Sequence, residues 1–336
     1  MMVPTVGERS GGSVAKPTQA DEERAGVRLT NLDQPLFEDA GVSKRELVDY
    51  LDAVADRLLP QLRDRPLSVI RARPGQPPFM QKNLPKYAPA WLRSVSMWAE
   101  SSRREVRYAL CDDRRGLLWF ANQRAVEYHP TLVTVEAPDQ QPYLVLDLDP
   151  PGPGGFAQAV TAAALVRQVL TDAGLDGAVK TSGAKGLHVY VPVAAPAPVD
   201  TVAAATRALA ARAERLDPAL ATTAYLLEER EGKVFLDAGR AGGATVVAAY
   251  SPRIRPGTPV SFPVPWADLA EVTPADFTVR TAAGLLADHD PWAAALPGPQ
   301  QLPRDLIEEG EAIPIGRVQA MHEGRRRARE ADRPER

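Results

Sequence analysis

Asp147 and Asp149, in the run Tyr143-Leu-Val-Leu-Asp-Leu-Asp149, are two carboxylates one residue apart at the end of an apolar stretch. In a strand, alternate side chains project to one face, so both acids point the same way. Burying two carboxylates side by side without a counter-charge is costly. A divalent cation removes that cost, and hard carboxylate oxygens suit Mg²⁺ or Mn²⁺. Relief of the repulsion predicts that removing one acid leaves stability unchanged or raised. A second pattern is Thr181-Ser-Gly-Ala-Lys-Gly-Leu-His188. Gly183 and Gly186 permit a tight turn and close approach to a ligand. Ser182 and Lys185 can donate to phosphate oxygens, and His188 opens the segment that follows. The pattern is not a P-loop, because GxxxxGK[ST] is absent. In Lys233-Val-Phe-Leu-Asp237 another apolar run ends in an acid. A third carboxylate is what two cations shared between a triphosphate and a sugar hydroxyl require. Arg253 and Arg255 follow Tyr250, while Arg71 and Phe79-Met-Gln-Lys82 set cations beside an aromatic ring. Taken singly, each pattern also reads as ordinary structure: a solvated acid pair at a turn, or a glycine hairpin with a surface lysine.

Elements able to position these groups are legible around them. Ser43 and Glu46 have capping-box spacing, and Leu47, Tyr50, Leu51, Val54 and Leu58 keep a helical period, predicting one helix ending before Pro60. Leu67–Arg71, Arg107–Leu110 and Leu117–Phe120 read as short strands. Pro142–Leu148 reads as a buried strand, followed by a helix over Ala157–Ala173 that stops at Gly174. Val179–Thr181 and His188–Val193 flank the glycine loop as strands, and Thr201–Leu216 is a helix. Val234–Leu236 and Thr245–Tyr250 read as strands. Helices and strands mix without regular βαβ alternation, so the expected class is α+β. Residues 1–26 have no apolar period and are expected to form a disordered tail. A catalytic domain over 27–290 is followed by a Pro-rich and charged extension over 291–336.

The 336 residues carry a net charge of −3, which argues against a uniformly basic nucleic-acid coat but leaves room for a local basic groove. One cysteine excludes a disulfide framework and a cysteine-based zinc site. No apolar run approaches the ~20 residues of a membrane span, and the N-terminus lacks a signal-peptide core. A cytoplasmic, nucleoid-associated protein without membrane contact is expected.

In order along the chain, these patterns resemble the polymerase domain of bacterial DNA ligase D, a branch of the archaeo-eukaryotic primase superfamily. The resemblance runs from about Val27 to Asp290. It begins with Leu29-Thr-Asn31 and the helix start at Ser43-Lys44. It continues through Arg71, Phe79 and Lys82, His129 in Glu127-Tyr-His-Pro130, and the metal pair Asp147 and Asp149. Ser182, Lys185 and His188 match SGxKGxH, Asp237 the third metal carboxylate, and Arg253 the YSxR element. The resemblance implies a two-lobed fold with an RRM-like sheet carrying the acids. It implies template-dependent nucleotidyl transfer to a primer 3′-hydroxyl with two Mn²⁺ or Mg²⁺ ions, on primed or gapped DNA with a 5′-phosphate. NTP or dNTP would be the substrate, with ribonucleotides preferred. Asp147, Asp149 and Asp237 would hold the metals. Ser182, Lys185, His188, Arg253, His129, Arg71 and Lys82 would bind the nucleotide, His129 near its sugar, and Lys44, Asn31 and Phe79 would meet DNA. Such domains serve end joining, or short-gap filling of the base-excision type, with an end-binding protein.

The sequence departs from the family pattern in three places. Gln34 stands where end-joining members carry a lysine that grips the 5′-phosphate with the counterpart of Lys44. The template-facing aromatic pair is Phe79-Met80, and the aromatic after the third acid is Ala238. No KxDG nucleotidyl-lysine motif occurs, so a separate ATP-dependent ligase is the expected partner. The competing readings are an end-joining polymerase acting with that ligase, a non-catalytic nucleotide- or DNA-end-binding module, and a DxD glycosyltransferase. The last leaves SGxKGxH unexplained.

Overall fold

The computed structural model describes residues 22–99, 104–241, 244–286 and 288–316. The first ordered element is a hairpin of β1 (Glu22–Arg24) and β2 (Val27–Leu29). Its two-residue turn has positive φ at Ala25 and Gly26, the geometry that matches strand twist. Residues 22–26 are therefore structured, although composition reads them as tail; residues 1–21 lie outside the described residues.

Ser43 caps α1 (Lys44–Ala53) with the complete reciprocal box to Glu46. The helix breaks at Val54 and restarts as α2 (Ala55–Leu62), so Pro60 lies inside a helix rather than ending one. The break gives Pro60 a fresh helix in which its missing N–H forfeits a single backbone bond. Around β3 (Leu67–Arg73) is built one sheet, with β4 (Gln76–Gln81) on one side and β6 (Arg104–Ala109) then β5 (Ser94–Ala99) on the other. The β7 strand (Ala125–Pro130) also pairs with β3.

Leu117–Phe120, expected as strand, lies in α3 (Arg114–Asn122), which Asp113 caps through the Gly116 N–H at 2.7 Å. A four-residue apolar run buried on all sides suits either element, and the cap decides.

The second five-stranded sheet has the order β11 (Ala221–Thr222), β12 (Val234–Asp237), β8 (Gln140–Asp149), β10 (Leu187–Pro198), β9 (Ala178–Thr181). The helices α4 (Phe156–Asp172) and α5 (Val199–Leu216) pack on it. They do so through small side chains, among them Ala159, Ala162, Ala205 and Ala208, all fully buried. Mixed helices, two five-stranded sheets and the β1–β2 hairpin make the class α+β, as the lack of βαβ alternation predicts.

Thr245–Tyr250 does not form the expected strand. Val246 and Ala248 donate to the Pro130 and Tyr128 carbonyls beside β7, but only Thr245 forms a bridge, and Tyr250 turns away at φ 68°. The segment nonetheless joins the two sheets.

Beyond it come α6 (Ala282–Leu285), α7 (Pro291–Ala295) and α8 (Arg304–Ala312). Trp292 is 1% exposed and meets the Tyr190 ring edge-on at 5.2 Å. Gly310 lets α8 lie against α5, since a Cβ there would sit 1.8 Å from the Ala204 carbonyl oxygen. The charged stretch from Gly324 to Arg336 lies outside the described residues. No described helix is long and apolar enough to cross a membrane.

Candidate active site

Strand register places four ionisable side chains in one row across the second sheet. Asp237 on β12 lies opposite Asp147 on β8, Asp147 opposite His188 on β10, and His188 opposite Lys180 on β9. Asp149 lies two residues beyond Asp147, on the same face by strand alternation. Pairing thus brings Asp237 from its own segment to the Asp147–Asp149 pair, with the glycine loop connecting β9 to β10 at the end of the row.

The loops around the sheet supply the counter-charge to the acid pair. Arg240, which sequence reading missed, bridges Asp147 Oδ2 at 3.0 Å and Asp237 Oδ2 at 3.3 Å. Its Nε is buried without a hydrogen-bond partner among the described residues. Lys185 Nζ lies 3.0 Å from Asp149 Oδ1, and Arg230 Nη1 is 3.8 Å from Asp149 Oδ2 while stacking on Phe235. Burial works against charge on Asp147, yet His188 and Arg240 outweigh it and hold its carboxyl well below the usual range. Burial pushes the Asp237 carboxyl up, with Arg240 opposing. Burial, helped by Lys180, pushes the His188 imidazole down to about 4. Burial thus favours the neutral form of the His188 ring, and Arg240 is the guanidinium paired with Asp147. Repulsion between the acids is therefore offset at Asp147, and removing that acid would leave Arg240 with fewer partners.

These donors fit divalent cations. All are hard oxygens, Asp147 is ionised, and a guanidinium already stands between two of the acids. Among the described residues no three His, Cys, Asp or Glu side chains form a preformed cage. With Arg240 drawn between Asp147 and Asp237, the acids are held around a cation of a different shape.

The glycine loop is closed on itself. Ser182 N–H donates to the Gly186 carbonyl at 2.8 Å, and Ser182 Oγ accepts from the Ala184 and Gly186 N–H groups at 3.2 and 3.1 Å. Lys185 Nζ donates to the Pro150 carbonyl at 2.6 Å. Gly183 has φ 67° and lies against the Arg253 side chain, which donates from Nη1 to the Ser182 carbonyl. Arg253 Nε also donates to Glu127 Oε2 at 2.9 Å, and the same oxygen meets His129 Nε2 at 2.8 Å. Burial alone would raise Glu127; His129 and Arg253 prevail and lower it to about 2. Glu127 is thus an ionised link joining His129, Arg253 and the Ser182 loop. Sequence reading recorded it only as a neighbour of His129.

The remaining residues lie on the other sheet and its helices. Arg71 is buried, donating to the Gln123 carbonyl at 2.7 Å, Gln81 Oε1 at 2.8 Å and the Tyr87 hydroxyl at 3.0 Å. Lys82 is exposed. Phe79 is 36% exposed, with the Arg71 and Arg73 guanidinium groups 5.6 and 5.0 Å from its ring centroid. Lys44 is turned inward, donating to the Thr30 carbonyl at 2.6 Å and Asn122 Oδ1 at 2.7 Å, and burial pushes its ammonium down to about 8. Asn31 takes φ 54° and accepts from Gln34 Nε2 at 3.4 Å. Arg124 Nη2 donates to Gln34 Oε1 at 2.7 Å. Arg124, also missed from sequence, therefore stands beside Gln34.

The fold is shared with a solved structure, the polymerase domain of Mycobacterium tuberculosis ligase D in complex with DNA. That chain is 34% identical with a TM-score of 0.72, and the match covers 82% of this chain and all of the other. The class so defined is a primase-polymerase, a nucleotidyltransferase. Residues 43–292 match the model of the LigD primase-polymerase domain, and the chain belongs to that family. Similar relatives include the bifunctional non-homologous end joining protein LigD of Bacillus subtilis, 33% identical over 76% of this chain. The multifunctional non-homologous end joining protein LigD of Mycolicibacterium smegmatis is 35% identical over 73% of it. The chain spans 41% and 32% of the length of those two relatives.

Proposed function

We propose that this chain extends a primer 3′-hydroxyl on gapped or broken DNA by template-dependent, two-metal nucleotidyl transfer. In this reading it fills short gaps in end-joining or related repair. Asp237, Asp147 and Asp149 on one sheet face, with Arg240 between two of them, are the observation that carries the reading. These three acids would hold two Mg²⁺ or Mn²⁺ ions. Such ions, when bound, lower the pKa of an attacking hydroxyl and neutralise a triphosphate and its leaving group. Lys185, Arg253 and the neutral Nε2–H of His188 supply charge-assisted hydrogen bonds to the triphosphate. Ser182 holds the loop in shape, since its hydroxyl already accepts two loop N–H groups. Phosphoryl transfer asks mainly for such positioning and charge stabilisation. The DNA in the structural relative supports DNA as the substrate here. Partners in this reading are an ATP-dependent ligase activity and a DNA-end-binding protein.

Ribonucleotide preference is assigned to His129. Its Nε2 faces the ionised Glu127 and carries the proton, so in the neutral ring Nδ1 is an acceptor. A ribose 2′-hydroxyl can donate to it; a deoxyribose cannot. His129→Ala is expected to lower the rNTP/dNTP efficiency ratio about tenfold. An unchanged ratio removes His129 from sugar recognition.

The 5′-phosphate grip is assigned a smaller role than in relatives with two lysines. Gln34 is neutral, and Lys44 spends two of its donors on Thr30 and Asn122. Binding of gapped DNA with and without the 5′-phosphate should differ only several-fold, since a charged donor is worth about 1.5–3 kcal/mol against about 1 for a neutral one. Gln34→Lys should widen the difference, and Arg124→Ala should narrow it. Equal discrimination in all three proteins would place the phosphate elsewhere.

A further inference from the structure

Lys180 is fully buried at the inner end of the acid row, where no carboxylate lies within ion-pair distance among the described residues. A buried amine costs stability unless its hydrogens are used. Its partners are Ser261 Oγ at 2.6 Å and His188 Nδ1 at 2.8 Å, with the Tyr190 ring centroid at 5.7 Å. Ser261 reaches this spot because its segment pairs with β9, Thr181 N–H donating to the Phe262 carbonyl at 2.8 Å.

The directions of these bonds close on one solution. Ser261 Oγ donates its single hydrogen to the Thr181 carbonyl at 2.7 Å, so it must accept from Lys180. At the far side of the imidazole, His188 Nε2 lies 3.3 Å from Asp147 Oδ1. Asp147, paired with Arg240, is an ionised acceptor, so Nε2 carries the proton. Nδ1 is then the lone-pair nitrogen and accepts from Lys180. Lys180 has N–H groups for both bonds in either protonation state, and as the ammonium it has no lone pair with which to accept, so Nδ1 must then be the acceptor.

We infer that Lys180 is a positioning residue that fixes His188 as its Nε2–H tautomer and so aims a neutral donor into the acid row. The metal face thereby gains a hydrogen-bond donor without gaining a further fixed charge. Under the nucleotide-transfer reading that donor serves the triphosphate, and the inference rests on that reading for this consequence alone. The tautomer is a property of the metal-free, nucleotide-free chain.

The test is long-range ¹H–¹⁵N correlation spectroscopy of the full chain labelled at its four histidines, with the His188 signals assigned by loss in His188→Gln. At pH 7 the wild type should show a protonated Nε2 and an unprotonated Nδ1. Lys180→Met, which keeps length but removes the donor, should shift population to the Nδ1–H form. Lys180→Gln, whose amide can still donate, should restore the wild-type pattern, and Ser261→Ala should loosen it. Nucleotide affinity should fall about tenfold in Lys180→Met, with no additional loss in the His188→Ala background. If Lys180→Met does not fold, the wild-type spectrum and Ser261→Ala still decide. A wild-type His188 that is Nδ1-protonated or doubly protonated overturns the inference. So does an unchanged pattern in folded Lys180→Met or, failing that variant, in Ser261→Ala. An absence of nucleotide binding by the wild type would count against the functional reading and leave the tautomer assignment standing.

Discussion

Asp147→Ala, Asp149→Ala and Asp237→Ala should each lower nucleotide addition by about a thousandfold or more. Loss of a ligand that holds a catalytic cation removes several kcal/mol of charge stabilisation, and each 1.36 kcal/mol is tenfold in rate. Their effects on folding should differ. Asp147 meets Arg240 and His188 in the interior, so Asp147→Ala leaves a guanidinium with fewer partners and should melt below wild type. Asp149, 39% exposed, should be nearly silent in stability. Thermal denaturation beside primer extension separates these outcomes. Normal extension by any of the three variants would remove that acid from the metal site.

Gly186→Ala should be the most damaging change at the loop. A Cβ at Gly186 would lie 2.1 Å from the Leu148 carbonyl oxygen, a backbone atom in the strand that carries Asp147 and Asp149. Relief requires β8 and β10 to part beside the acid row, at a cost of at least about 1–3 kcal/mol. Gly183→Ala meets both positive φ and the Ser261 N–H, where its Cβ would approach to 2.7 Å. Gly152→Ala, in the nearby turn, has nothing within 4 Å and is the matched control. Gly186→Ala should lower the melting temperature and nucleotide affinity together, while Gly152→Ala should change neither. Equal behaviour of the two variants would contradict the close packing of loop on strand.

The carboxylates were legible because each ends an apolar run, and a run ending in an acid has few structural uses. Their convergence was not, since it depends on the register Asp237–Asp147–His188–Lys180, which no local pattern encodes. Arg240 and Arg124 were invisible for a related reason: an arginine in a polar loop resembles any surface cation until folding brings it to an acid or an amide. The strand reading of Leu117–Phe120 failed because a short apolar run carries no period, and the helix expected to stop at Pro60 failed because the break lies earlier, at Val54. Ser43, by contrast, encoded its cap locally and formed it. Lys44, singled out for phosphate, also donates to groups from Thr30 and Asn122, the latter 78 residues away in sequence, which no local pattern encodes.

The most direct test is single-nucleotide extension of gapped, 5′-phosphorylated DNA by the purified full chain, with Mn²⁺, Mg²⁺ or chelator, and rNTP or dNTP. The expected result is template-matched addition that requires a divalent cation, favours rNTP, and disappears in Asp147→Ala. Absence of addition with either metal and every nucleotide, from a folded chain that still binds gapped DNA, would contradict the polymerase reading and leave a non-catalytic binding module.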